Sequence, residues 1–115
     1  RIKNSVIELV HYNDSKTPLT LSNFLTSKLG GDYSALSKLF SEYAGMTIER
    51  YYILQRVERV KELLFYDELT LSQIALKMNY SSTAYLSSQF KNVTGMTPTQ
   101  FKQMKRNVLK PLDEI

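Results

Sequence analysis

The sequence predicts an all-α fold of about seven helices, arranged as two helix-turn-helix units joined by a long linker helix. Three observations lead there: an internal repeat, helical spacing of the apolar residues, and helix-stop and helix-start residues at the right intervals. The repeat has an offset of fifty residues. Leu19-Thr20-Leu21-Ser22 returns as Leu69-Thr70-Leu71-Ser72, Leu36-Ser37 as Leu86-Ser87, and Phe40 as Phe90. Gly45-Met46-Thr47 returns as Gly95-Met96-Thr97, and Arg56 as Arg106. A gapless repeat of that length means one supersecondary unit built twice, and two copies are too few for a solenoid. Two similar recognition devices at a fixed separation suit a ligand that itself repeats in space.

The elements follow in order. Ile2, Val6, Leu9 and Val10 share one face of a first helix that ends by Tyr12. Residues 13–18 read as a turn. Thr20 is placed to cap a helix of about nine residues that stops at Gly30-Gly31. Asp32 caps the next, which stops at Gly45. Thr47 opens a helix that runs to about Tyr66 without Gly or Pro, and Asp67-Glu68 ends it. Thr70 and Gln73 then form a capping-box pattern. The helix they open closes near Asn79, a residue type that tolerates left-handed backbone. Ser81 or Ser82 caps a helix ending at Gly95. Thr97-Pro98-Thr99-Gln100 is a second capping box, with Pro at the first helical position. The expected division is a first helix-turn-helix at about 20–45, the linker at about 47–66, a second at about 70–95 and a last helix at about 97–108, all in one domain.

Composition removes several function classes. The chain has 115 residues, 43% hydrophobic and 23% charged, enough for one packed core and too apolar for disorder. It has no cysteine, hence no disulfide, thiolate metal site or redox centre, which agrees with a cytoplasmic location. No signal peptide is visible and no apolar run reaches membrane-spanning length, so no membrane contact is expected from this segment. The first residue is Arg, so the chain is expected to be part of a longer protein. His11 is the sole histidine, too little for a metal site. The Asp67-Glu68 pair is read as a solvated turn. No base accompanies any serine, and no phosphate-cradling glycine loop exists, so the chain is not expected to be an enzyme or to need a cofactor.

Charge is unevenly spread. Residues 1–68 balance nine basic with nine acidic side chains. Residues 69–110 hold Lys77, Lys91, Lys102, Lys105, Arg106 and Lys110 and no acid. That one-sided field favours a polyanion.

The second helix of each unit carries the recognition chemistry. Leu36, Leu39, Phe40 and Tyr43 are expected to face the core, as are Leu86, Phe90 and Val93. The opposite stripes are Ser34, Ser37, Lys38 and Ser41 in the first copy and Ala84, Ser87, Ser88 and Lys91 in the second. Both are small, hydroxyl-rich and free of carboxylates. A helix entering a major groove needs small residues for close approach and donors for base edges and phosphates. The linker of about 20 residues spans about 30 Å, close to the roughly 34 Å between successive major grooves on one side of B-DNA. Most of the eight tyrosines, Tyr43 included, are expected in the core or at a groove rim; Tyr33 and Tyr85 flank the outer stripes.

At these positions the sequence resembles the DNA-binding domain of AraC-type transcription regulators. The residues that carry the resemblance are Gly45; Arg56 with Val57, Val60, Leu63 and Leu64; Ile74-Ala75; Tyr80; Phe90-Lys91; Gly95; and Thr97-Pro98 followed by Phe101. It extends over about residues 19–106. The resemblance implies a seven-helix domain attached to a separate sensor or dimerisation domain, with double-stranded DNA and RNA polymerase as partners. It places base-reading roles on Ser34, Ser37 and Lys38 in the first unit, and on Ala84 and Ser88, with Thr83 nearby, in the second. Ser87 joins them from the outer stripe. Phosphate contacts are expected from Ser41, Lys77, Ser82, Lys91, Thr97, Lys102, Lys105 and Arg106. Two departures stand out. Asn79 replaces the family's usual Gly, and the second recognition helix lacks Arg or Gln at the positions that would read guanine or adenine bidentately. The first unit is therefore expected to read sequence and the second to grip backbone. The rival readings are a helical protein-protein interaction module and an RNA binder; deep-grooved A-form RNA suits rigid helices less well.

Overall fold

A computed structural model describes residues 1–12 and 21–108, except the side chains of residues 11, 12 and 106–108. It has seven helices and no strand among the described residues: α1 (Ile2–Tyr12), α2 (Leu21–Leu29), α3 (Tyr33–Ala44), α4 (Ile48–Tyr66), α5 (Leu71–Lys77), α6 (Thr83–Thr94) and α7 (Pro98–Val108). The caps are those the sequence predicts. The Asp32 carboxylate accepts from the Ala35 N–H, the Thr47 hydroxyl from Arg50 and the Ser82 hydroxyl from Tyr85. Thr70 with Gln73 and Thr97 with Gln100 form reciprocal capping boxes. Gly45 and Gly95 close α3 and α6 in left-handed conformation, and Asp67 does the same for α4. Asn79 holds φ 62°, so the turn between α5 and α6 survives without its glycine. Thr20, expected to cap α2, lies outside the described residues, as does Lys110; the side chain of His11 does too.

Two hydrophobic cores form around one rod. Val6, Leu25, Phe40 and Ile48 make the first. The second contains Val57, Val60, Leu64, Ile74, Met78, Tyr80, Leu86 and Phe90, with Val10 from α1. Tyr52 packs against both. At 100° per residue, Ile48 and Tyr52 lie on one side of α4, while Val57, Val60 and Leu64 lie roughly half a turn around it. The apolar stripe of α4 therefore migrates along the helix, and each unit docks on its own side. The molecule is elongated, 57 × 29 × 20 Å. The 19 residues of α4 span about 28 Å of that length.

One expectation fails. Leu39 and Tyr43 do not face a core: they are 61% and 82% exposed. In α3 only Phe40 is fully buried, with Leu36 packed beside it. Leu39 and Tyr43 instead line an apolar groove of about 480 Å³ with Ile2, Leu29 and Leu36, flanked by Arg1 and Lys3. The helical spacing is right, but the first core is too small to cover the whole stripe. Tyr66, at 70% exposure, also departs from the core expectation for tyrosines.

Both C-terminal glycines sit in open space, with nothing within 4 Å of an added Cβ. Gly95→Ala is therefore expected to cost only the backbone term, about 1–2 kcal/mol, as a lower denaturation midpoint with unchanged slope in urea.

Candidate nucleic-acid interface

The outer stripes survive folding as exposed or half-exposed surface. On α3, Ser34 and Lys38 are exposed and Ser37 and Ser41 half-buried. On α6, Ala84, Ser88 and Lys91 are exposed and Thr83 and Ser87 half-buried. Each stripe centres about a third of a turn around its helix from the buried Phe40 or Phe90, with Lys38 and Ser88 farthest from them and Ser37 and Ser87 at the inner edge. Glu42 is exposed at the flank of the first stripe, so the carboxylate-free surface there is narrow. Nothing comparable flanks the second, since α6 carries no acidic residue.

The residues expected to bind phosphate divide into those the fold leaves available and those it uses itself. Lys91 is exposed on α6, and Lys77 is half-buried in the last turn of α5. Ser82 spends its hydroxyl on the Tyr85 N–H, which leaves the other N–H groups of the first turn of α6 for an anion. Thr97 is committed more fully: its hydroxyl accepts from Gln100 and its own N–H donates to Gln100 Oε1. Lys102 reaches back to Asp67 at 2.7 Å. Lys105 donates to the Phe65 carbonyl and lies 4.7 Å from the centre of the Phe65 ring. Both lysines thus hold α7 against the C-terminal end of α4, where the unsatisfied carbonyls attract cations. The side chain of Arg106 lies outside the described residues. The acid-free stretch that begins at residue 69 stops two residues short of Asp67, which is why a count along the sequence overstates the charge left for a ligand.

The two flanking tyrosines also differ. The Tyr33 hydroxyl donates to Glu49 Oε2 at 2.6 Å, tying the start of α3 to α4. Burial first, then the Glu49 carboxylate, pushes its ionisation well above the usual tyrosine range. Tyr85 is 53% exposed, its ring edge-on to Tyr80 with centroids 5.9 Å apart. It remains open at the rim of the second stripe. Sequence reasoning named Arg56 and Tyr80 only as marks of the resemblance and missed the contacts that they and Gln89 make behind that stripe. Arg56 Nη2 donates to the Met78 carbonyl at 2.6 Å, its guanidinium lies 4.2 Å from the centre of the Tyr80 ring, and the Tyr80 hydroxyl donates to Gln89 at 2.7 Å. The sequence signals were the pairing of Arg56 with Arg106 in the repeat and the places of Arg56 and Tyr80 among the residues that carry the resemblance.

The geometry is that of two exposed helices, each preceded by a shorter helix and a tight turn, carried by one rod. The helix-turn-helix domain family matches residues 25–104. The chain belongs to the AraC-type helix-turn-helix family. Its curated relatives include transcriptional regulators. An HTH-type transcriptional regulator of Staphylococcus aureus (strain MSSA476) is 35% identical over 96 residues, covering 84% of this chain and 12% of that protein. The F1 operon positive regulatory protein of Yersinia pestis is 32% identical over 102 residues, covering 88% of the chain and 33% of that protein. The AraC-type domain described here thus spans a minor part of either relative's length. Among solved structures, an AraC-type regulator from Chromobacterium violaceum superposes with a TM-score of 0.77 at 24% identity, covering 96% of this chain and 94% of that one. The C-terminal domain of the two-component response regulator yesN from Fusobacterium nucleatum gives 0.71 at 31% identity, covering 88% and 93%. The DNA-binding domain of AdpA, solved in complex with a target DNA, gives 0.77 at 15% identity, covering 94% and 95%. Among the described residues of this AraC-type domain no cluster of metal-ligating side chains exists, and no helix is long and apolar enough to cross a membrane.

Burial also raises the Tyr80 hydroxyl above its ordinary value of 10.0, although the neighbouring Arg56 charge pulls the other way. A tyrosine raised in the folded state ionises first in the unfolded chain. Its stabilising contribution is therefore complete below about pH 10 and is lost as pH climbs through the folded value. The melting temperature is expected to hold up to about pH 9 and to fall above about pH 10, with a shallower fall in Tyr80→Phe. Thermal melts across that range, read by circular dichroism, check this.

Proposed function

We propose that this domain binds duplex DNA by placing α3 and α6 in consecutive major grooves, as the sequence-specific arm of a transcription regulator in the bacterial cytoplasm. The observation that carries the reading is the pair of small, hydroxyl-rich, exposed stripes on two equivalent helices, held on one rigid rod of about 28 Å. The likeness to the DNA-bound AdpA domain supports it. Base reading is assigned to Ser34, Ser37 and Lys38 on α3 and to Thr83, Ala84, Ser87 and Ser88 on α6. Phosphate binding is assigned first to Lys91, Lys77, Ser41 and the α6 N-terminus at Ser82. Thr97, Lys102, Lys105 and Arg106 stand second, because three of them already serve the fold or its caps. RNA polymerase and a sensor or dimerisation domain of the same protein complete the proposed partners; the longer relatives support the latter.

Selection from random duplex DNA is the direct test: enrichment of a site with two boxes about one helical turn apart supports the reading, and recovery of no shared sequence sinks it. On the selected site, Lys38→Ala is expected to cost about 1–3 kcal/mol and to relax preference at one or two base pairs, because Lys38 is the sole long donor on its stripe. Ser88→Ala should change the ratio of specific to scrambled binding less; the reverse order would invert the division of labour between the units. Lys91→Ala and Lys77→Ala should each lower the salt slope of log K by about one and weaken all sequences alike. A protein-interaction module would show neither the slope nor its change.

A further inference from the structure

The second recognition helix is tied to the rod by a connected set of side chains that the first lacks. Arg56 projects from the middle of α4. It holds the Met78 carbonyl in the α5–α6 turn and packs between the rings of Tyr80, at 4.2 Å, and Tyr52, at 5.6 Å. Tyr80 is itself buried and passes the link to Gln89, which belongs to α6. Tyr85, also on α6, lies edge-on to the same ring. Fifty residues earlier, the positions of Arg56, Tyr80, Tyr85 and Gln89 are occupied by Val6, Gly30, Ala35 and Leu39. None of those can build such a link, and Leu39 points into solvent. The corresponding tie in the first unit is the exposed Tyr33–Glu49 bond.

Stability alone is a weak reason for this arrangement. The Arg56 Nε is buried with no hydrogen-bond partner, which carries a desolvation penalty that an apolar side chain would avoid. What a guanidinium supplies is direction: a planar fork that bonds along fixed axes and stacks on aromatic faces. We propose that Arg56, Tyr80 and Gln89 are positioning residues that set the orientation of α6 on α4, and thereby the separation of the two DNA boxes that the domain accepts. The proposal rests on the two-groove reading above. One base pair moves the second groove by about 3.4 Å along the duplex and about 35° around it. A recognition helix locked to the rod cannot follow that displacement; one released from the lock can.

The test uses three duplexes: the selected site, and the same site with one base pair inserted or removed between its boxes. Wild type is expected to bind the two altered duplexes roughly tenfold or more weakly, the loss typical of one or more spoiled contacts. Tyr80→Phe, which keeps the ring, Gln89→Leu, which installs the first unit's residue, and Arg56→Lys, which keeps the charge, should each shrink that discrimination to about threefold or less. Melts of each variant show that it is folded at the assay temperature, and Tyr80→Phe keeps the test valid where the others are too unstable. If the variants weaken all three duplexes by one common factor, these residues only stabilise the fold and the proposal fails. It fails equally if wild type binds the site but ignores spacing, a result that leaves the DNA-binding reading intact. Absence of any preference of wild type for the selected site over a scrambled one would instead overturn that reading, and the proposal with it.

Discussion

Everything in this domain depends on α4 serving two hydrophobic cores at once. Ile48 and Tyr52 close the first core, and Val57, Val60 and Leu64 close the second from another side of the same helix. A helix with one apolar face could anchor one unit. A helix whose apolar face migrates anchors two and fixes the rotation between them. The α1 helix repeats the trick on a smaller scale, with Val6 in one core and Val10 in the other. Since neither unit has a large core of its own, neither is free to move relative to the rod without exposing residues that are now fully buried.

That arrangement explains why the recognition surfaces are so plain. With the helices oriented by the scaffold, the outer stripes need only be small and able to donate. Serine, alanine and one lysine per stripe meet that need. Three long basic side chains serve the fold instead. Arg56 binds the α5–α6 turn, and Lys102 and Lys105 fasten α7 to the end of α4. Less of the net charge of +4 is therefore left uncommitted than a count along the sequence suggests; among the lysines proposed to meet DNA, Lys38 and Lys91 are exposed and Lys77 is half-buried.

The two units share a plan and differ in how tightly it is executed. The second buries Tyr80, Leu86 and Phe90 and locks α6 through Arg56. The first buries only Phe40 from α3 and leaves Leu39 and Tyr43 open over an apolar groove. The same plan occurs twice, and different residues at a few stations, such as Gly30 against Tyr80 and Leu39 against Gln89, give the two copies unequal ties to α4.

The local structure was legible in the sequence because it is decided locally. Helix starts depend on a hydroxyl or carboxylate within three residues, as at Asp32, Thr47, Thr70 and Thr97, and helix ends on a residue that accepts positive φ, as at Gly45, Asp67 and Gly95. The exposed faces of α3 and α6 followed from the same short-range geometry. What only the tertiary structure decided were the matters that depend on which surfaces meet. Spacing assigned Leu39 and Tyr43 to a core, but whether an apolar residue is covered depends on the area of the partner, and the first core lacks it. Charge counting assigned Lys102 and Lys105 to a polyanion, but Asp67 and the Phe65 carbonyl come to them from across the fold. Arg56 read as a member of the repeat and a mark of the resemblance, with no role assigned, because contacts with Met78 and Tyr80, more than twenty residues away, exist only after α4, α5 and α6 have packed.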